Sequence, residues 1–491
     1  MSTEPWTKVQ VGVDWLPPSD MDNEEGVFLP AKAPESQYML SQAVNERYRC
    51  PEEFLDLAPP EHLSSSAGYF RFGTNAICYG RSSGTPASGP EYALRDTLGD
   101  VAADDTRLRL PFHLNEIIDN LRLERYVNRR ATEGGFKRFC RRLYYQLRPL
   151  TNLAIRKQVQ KFYARNWKNR IFPHWPVDTT VENVCETVLL LSMKARGVEK
   201  VPFIWFWPNG AKGCLAMTHD VETAAGRDLC ANLMDVDDSF GIKSAFGIVP
   251  EERYEVSPDF LESMRSRGFE VGVQDLNHDG RLFDDKEEFQ RRAKLINRYG
   301  REYGANGFRA AILYRNPEWY GELDFAFDMS FPNVAPMDPQ NGGCCTVMPF
   351  FIGDILELPV TTTQDYTLFH VLNERSIDLW KLQTEMILKK NGLVSFIVHP
   401  DYILDPDQLA SYKDLLGYLR ELKEKSAVWC ALPSEINTWW RARSKMSVVR
   451  DGNSWRIEGD ATKRARLAYA RNVEGKLVYE LAQGPEVEMP D

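Results

Sequence analysis

The sequence predicts an α/β fold built on a parallel sheet, open or closed into a barrel. Two observations carry this. From about residue 200, short apolar runs alternate with helical stretches, the order that places helices between parallel strands. Polar residues then gather where those runs end, at Asp220, Gln274, Arg309, Asp328 and His399. That is the end of the strands at which such folds assemble their sites.

The elements follow in order. "CLAMTHD" is a short apolar run ending in polar residues, and "VETAAGRDLCANLMDVDDSFG" is a loop leading into a helix. "IKSAFGIV" reads as a strand. "SPDFLESMRSRG" is a capped helix, with Ser257 at its start and Gly268 past its end. "FEVGVQ" is a strand, "KEEFQRRAKLINRYGREYG" a helix, and "GFRAA", "DFAFDMSF" and "LVSFIVH" are further strands. Upstream, residues 1–110 are rich in Pro, Gly and Ser, with short β-type runs at 68–73 and 76–81, and read as an irregular strand-containing region. Residues 111–200 read as a basic helical region, because "FHLNEIIDNLRLERYV" has apolar residues at helical spacing. The barrel-like domain would occupy 200–440. Short strands around turns at 446–483 suggest a small β appendage.

Bulk properties narrow the function. A chain of 491 residues implies about two to four domains. Apolar residues at 43% and charged residues at 26% are the balance of a soluble globular protein. A formal charge of −10 gives no sign of nucleic-acid binding. The N-terminus lacks a basic stretch followed by an apolar run, and the nine cysteines are scattered apart from Cys344–Cys345. Reduced thiols and a cytoplasmic location are therefore expected. Between Asn128 and Arg170 stand thirteen Lys or Arg and one acidic residue, with aromatics interleaved. This block is open to three readings: a solvated amphipathic face, a contact for an anionic membrane or glycan, or, least favoured, nucleic-acid binding.

Three short stretches offer chemistry. In "MTHDVE", strand parity puts Thr218, Asp220 and Glu222 on one face and turns His219 away. Adjacent carboxylates repel unless a cation or a proton relieves them. In "GVQDLNHDG", Gln274 and His278 stand four apart and share a face if the loop makes one helical turn. In the segment 354–370, Glu357 and Asp365 are placed to line a cleft or to serve as strand-end structure.

Taken together, "THDVE", "GVQDLNHDG", "GFRAAILYRNPEW", "DFAFDMSFPN" and "SFIVHPDY" resemble, in order, the motifs of the polysaccharide deacetylase family, the carbohydrate esterases with nodulation-type deacetylase homology. The resemblance spans 218–402. It implies a distorted β/α barrel and metal-dependent removal of N- or O-acetyl groups from a sugar or polysaccharide precursor. It places a catalytic base on Asp220, its orienting Arg on Arg309 and a catalytic acid on His399. Metal ligands fall on Glu222, Gln274 and His278. Gln274 stands where the family has a histidine, Val221 where the common first motif has a second Asp, and Ala310–Ala311 where a Pro usually follows the Arg. An amide oxygen is a weaker donor than imidazole, so a divalent metal is expected with zinc disfavoured by Gln274 and Mn²⁺ or Mg²⁺ as alternatives. Two other functions stay open: a glycan-binding pseudoenzyme, and a membrane-surface scaffold in polysaccharide assembly.

Overall fold

The alternation of side chains along residues 213–221 fixes the centre of the molecule. Cys214 and Ala216 belong to one apolar cluster, while Leu215, Met217 and Val221 belong to another. A strand with both faces buried separates two cores in this way, and Gly213–Val221 is buried along its whole length. The computed structural model describes residues 40–104, 107–127 and 170–482. Residues 128–169 of the basic segment, and with them its three readings, lie outside the described residues.

The strands, in chain order, are β1 (Leu57–Ala58), β2 (Gly68–Arg71), β3 (Ile77–Gly80), β4 (Ala102–Asp104), β5 (Arg107–Arg109), β6 (Lys200–Ile204), β7 (Gly213–Val221), β8 (Ala245–Ile248), β9 (Glu270–Gln274) and β10 (Gly307–Arg309). They continue with β11 (Phe327–Asp328), β12 (Phe350–Ile352), β13 (Ile355–Glu357), β14 (Leu393–Val398), β15 (Val428–Cys430), β16 (Ser447–Asp451), β17 (Ser454–Glu458), β18 (Leu467–Val473) and β19 (Lys476–Leu481). The helices are α1 (Gln42–Tyr48), α2 (Leu114–Arg122), α3 (Thr180–Arg196), α4 (Ala224–Ser239), α5 (Pro258–Arg265), α6 (Lys286–Tyr303), α7 (Asp378–Leu388), α8 (Pro406–Lys425) and α9 (Pro433–Ser444).

Nine strands form the main sheet, in the order β12-β13-β11-β10-β9-β8-β7-β14, with β15 beside the first residues of β7. Every pairing is parallel except β12 with β13. The sheet curls into a distorted half-barrel, as a wound β/α order requires. Side chains span the remaining gap between the end of β13 and β14. Thr361 Oγ1 donates to Leu393 O at 2.8 Å and accepts from Ser395 N at 2.9 Å, and Thr362 Oγ1 donates to Ser395 O at 2.8 Å.

The crossover helices begin where the sequence supplies caps. Thr223 caps α4, Ser257 caps α5, Asp285 caps α6 and Asp405 caps α8, each side chain accepting a first-turn N–H. Gly304 ends α6 in the left-handed conformation at φ 56°.

β6 sits apart from the main sheet. It pairs antiparallel with β18, which pairs with β19, so the tail is tied by hydrogen bonds to the stretch just before β7. The apolar cluster that reaches Cys214, Ala216 and Phe327 also contains Tyr48, Phe112, Val188, Phe203 and Ala468. N-terminal region, barrel and tail therefore share one core, and the described residues from Leu40 onward fall in one compact unit. The eight described cysteines are free, Cys344 and Cys345 among them. No helix among the described residues is long and apolar enough to cross a membrane.

Candidate active site

Parallel register brings the polar strand ends together. Asp220 is the last residue but one of β7, Gln274 ends β9, Arg309 ends β10, and His399 follows β14 directly. Gln274 pairs in register with Arg309, and Asp220 with Gly247 on β8. A methyl group at Gly247 would lie 3.4 Å from both Asp220 Oδ1 and Gln274 Oε1. The glycine therefore leaves open the space between these side chains.

Thr218 and Asp220 share a face, as parity requires. Arg309 Nη1 donates to Asp220 Oδ1 at 2.5 Å and to Thr218 Oγ1 at 2.9 Å, and its Nε donates to Met329 O at 3.0 Å. Both partners of the Arg309–Asp220 pair are buried. His219 points the other way, with Nε2 3.0 Å from Asp237 and Nδ1 3.0 Å from Val398 O, outside the site.

Glu222 is the hub. Its Oε1 lies 2.8 Å from His278 Nε2 and 3.4 Å from His399 Nε2, and accepts from Gln274 Nε2 at 3.4 Å. Burial disfavours the charged form of Glu222, but the two imidazoles outweigh burial and hold the carboxyl well below its usual range. Burial works against protonation of His278 as well, and Glu222 more than offsets it, raising that histidine. The same opposition at His399 is won by Asp365 and then Glu222, so His399 rises well above its usual value.

Gln274 and His278 each reach Glu222 Oε1, His278 by a different route from a helical turn. Asp275 and His278 are both left-handed, at φ 54° each, and fold the loop back on itself. Arg253 donates to the carbonyls of Asn277 (2.9 Å) and His278 (2.6 Å), and Arg292 grips Asp279 through two bonds of 2.8 and 2.9 Å. A basic clamp thus holds the loop where regular structure does not.

The donor set fits a divalent metal. Gln274 Oε1 and His278 Nε2 are buried with no aligned hydrogen-bond partner; the 2.8 Å contact of His278 with Glu222 is close but off the hydrogen-bonding line. Orphaned buried donors and acceptors are costly, and a cation would satisfy both. Among the described residues, one ligand atom each of Asp220, Glu222 and His399 lie within 4.8 Å of one another, a candidate metal group that includes Glu222 but neither Gln274 nor His278. The oxygen-rich mixture suits a hard or borderline ion.

Asp365, Glu357 and Asp328 stood out in the sequence, but not the contacts they make. Asp365 holds His399 twice, at Nδ1 (2.7 Å) and at the backbone N–H (2.7 Å), and Tyr402 packs on the same ring at 4.9 Å between centroids. No spacing rule links residues 34 apart. Asp328, at its own strand end, is not in the Glu222 cluster. It lies opposite Glu357, whose carboxyl is driven well up by burial and by Asp328, and it holds Ser330 Oγ at 2.7 Å. Ser330 Oγ in turn accepts Ala310 N–H at 2.8 Å, so Asp328 steadies the backbone beside Arg309.

No family model matches the chain, and neither does any curated protein. Among solved structures, the chain is similar to a protein from Mycobacterium smegmatis assigned as a polysaccharide deacetylase, at 18% identity and TM-score 0.40, covering 50% of this chain and 96% of that one. It is similar to Puue allantoinase at 14% identity and TM-score 0.38, covering 48% and 92%. It is also similar to a family 4 acetyl xylan esterase from Clostridium thermocellum in complex with cobalt, at 14% identity and TM-score 0.29, covering 46% and 91%. Over about half of its length the chain is similar to solved polysaccharide deacetylases.

Proposed function

We propose that the chain is a metal-dependent hydrolase that removes N- or O-acetyl groups from a sugar or polysaccharide precursor. The observation that carries this reading is the juxtaposition, at one rim of the sheet, of the Arg309–Asp220 ion pair and the Glu222 hub with His278, Gln274 and the Asp365-held His399. Glu222, Gln274 and His278 would hold a divalent ion, which when bound polarises an acyl carbonyl and acidifies water. Asp220 accepts the proton of the attacking water, and Arg309 and Thr218 fix the direction from which it does so. His399 Nε2, protonated and aimed by Asp365 at Nδ1, gives a proton to the departing amine or alcohol.

The test is acetate release from acetylated sugars by the metal-loaded protein. Asp220→Asn keeps size and loses the base, so kcat of the folded variant should fall on the order of 10²–10⁴-fold. Near-normal kcat in that variant would remove Asp220 from the role. A wild type that binds acetylated glycan and releases no acetate with any divalent metal would favour the pseudoenzyme reading.

A further inference from the structure

The two strands that lead into the candidate metal ligands are not neighbours. In the main sheet β8 lies between β7, which runs into Glu222, and β9, which runs into the His278 loop. The last rungs on the two sides of β8 meet at Ile248, paired with Val221 on one side and Val273 on the other. Glu222 comes one residue after the end of β7 and His278 four residues after the end of β9. Both ligands therefore stand beyond the reach of these rungs, and the ladder does not set the distance between them.

The segment that leaves β8, residues 249–256, bonds to both sides. The Tyr254 hydroxyl donates to Val221 O at 2.6 Å and accepts from Val249 N at 2.9 Å. It thus ties the carbonyl directly before Glu222 to the end of β8. On the far side of Glu222, Thr223 Oγ1 accepts from Gly226 N at 3.0 Å and donates to Asp401 at 3.2 Å, so the backbone around Glu222 is held at both flanks. Toward β9, Glu251 N donates to Leu276 O at 2.9 Å, and the fork of Arg253 spans the carbonyls of Asn277 and His278. Glu252 is left-handed, at φ 66°, and turns the chain between these contacts. Behind the turn, the Glu251 carboxylate accepts from the Tyr299 hydroxyl of α6 at 2.9 Å.

We propose that residues 249–256 are a brace that sets the spacing of the metal ligands, with Tyr254 the positioning residue for Glu222 and Arg253 the positioning residue for His278. The inference rests on the metal-dependent reading above. A carboxylate and an imidazole share one ion tightly only while their separation suits it, and ligands on loops keep that separation only if the surrounding shell holds them. Tyr254 and Arg253 are adjacent in the chain, so one short segment grips both ligand-bearing backbones. Neither side chain is a ligand in this arrangement, because the hydroxyl and the guanidinium fork are committed to backbone carbonyls. Each grips the backbone at a ligand or next to one, which is where ligand orientation is set.

The experiment is competition between the full chain and a chromogenic chelator for Mn²⁺ and for Zn²⁺, at a temperature below the unfolding transition of every protein compared. Tyr254→Phe removes the hydroxyl and keeps the ring. Arg253→Lys keeps the charge and loses the fork over two carbonyls. Each should weaken metal affinity roughly 10–100-fold, the usual cost of losing a group that orients a metal ligand. Ser257→Ala removes the cap of α5 just past the brace and touches neither ligand, so it should lower the melting temperature and leave affinity unchanged. Wild-type affinity in Tyr254→Phe or in Arg253→Lys, or an equal loss in Ser257→Ala, would overturn the brace and leave the metal reading standing. A wild type that binds neither ion would overturn both. Affinity that depends on Tyr254 and Arg253 in a protein that hydrolyses no acetylated compound would keep the brace and overturn the catalytic reading instead.

Discussion

Gln274 turns its amide nitrogen toward Glu222 and leaves its oxygen unpartnered in the interior, while His278 Nε2 meets the same Glu222 oxygen at 2.8 Å. Gln274→His should complete a carboxylate and two-imidazole set, and imidazole is the better donor for Zn²⁺. Zinc affinity, measured by competition with a chromogenic chelator, should increase in that variant and be lost in His278→Ala. Equal affinity in wild type and both variants would show that these side chains do not converge on one ion. Asp365 acts one step further out. Asp365→Asn keeps a hydrogen-bonding side chain but withdraws the charge that raises His399. It should lower kcat by roughly 10²-fold with little change in KM. At this scale the sequence was legible wherever strand parity applied. Thr218 and Asp220 meet Arg309 and His219 turns to Asp237, because a pleated strand leaves no other choice.

β9 starts at Glu270, and its carboxylate ties that strand to α9. Ser434 at the start of α9 donates both its backbone N–H (3.0 Å) and its hydroxyl (2.8 Å) to Glu270 Oε2. Burial exceeds the effect of these bonds and raises the carboxyl to about 7. A carboxyl that is raised on folding contributes stability fully present below its unfolded value. That stability is lost as pH climbs through the folded one. The window therefore runs from about 4.5 to about 7. Glu270→Gln retains an oxygen for both donors and cannot ionise. The variant should match wild type near pH 4.5 and exceed it near pH 8 by on the order of 2 kcal/mol, read from denaturant unfolding at the two pH values. Parallel pH dependence in both proteins would remove Glu270 from the account. Among the elements, the Ser257 cap and Gly268, at φ 78° past the end of α5, were legible from residue chemistry alone. The loop after β9 was not. It turns through two left-handed residues and is held by Arg253 at the Asn277 and His278 carbonyls and by Arg292 at Asp279, two arginines that lie outside the local pattern.

Across the whole molecule, Arg443 near the end of α9 shows how the parts are joined. It is buried and, among the described residues, meets no carboxylate. Its guanidinium donates to the carbonyls of Trp205 and Ile204 at the end of β6 and just past it, and to those of Glu46 and Arg47 in α1. Burial, with Arg49 and Arg47 near, lowers its pKa well below the usual value. Arg443→Met should cost about 3 kcal/mol or more, because it strands several buried carbonyls at once. Since α1, β6, the barrel and the tail share one apolar cluster, the loss should appear as an earlier single transition. Separate melting of the tail or the N-terminal region would contradict that coupling. The sequence alone determined the helix–strand alternation after residue 200, the strand-end positions of Asp220, Gln274, Arg309 and His399, and the opposite faces of Asp220 and His219. Each of these follows from period and local propensity, which act over a few residues. Only the tertiary structure decided that β6 pairs with β18, that Thr361 and Thr362 bridge to β14, and that Asp365 holds His399. Those contacts join residues far apart in the chain. They are selected by the burial and hydrogen bonding of the whole fold, which no local pattern encodes.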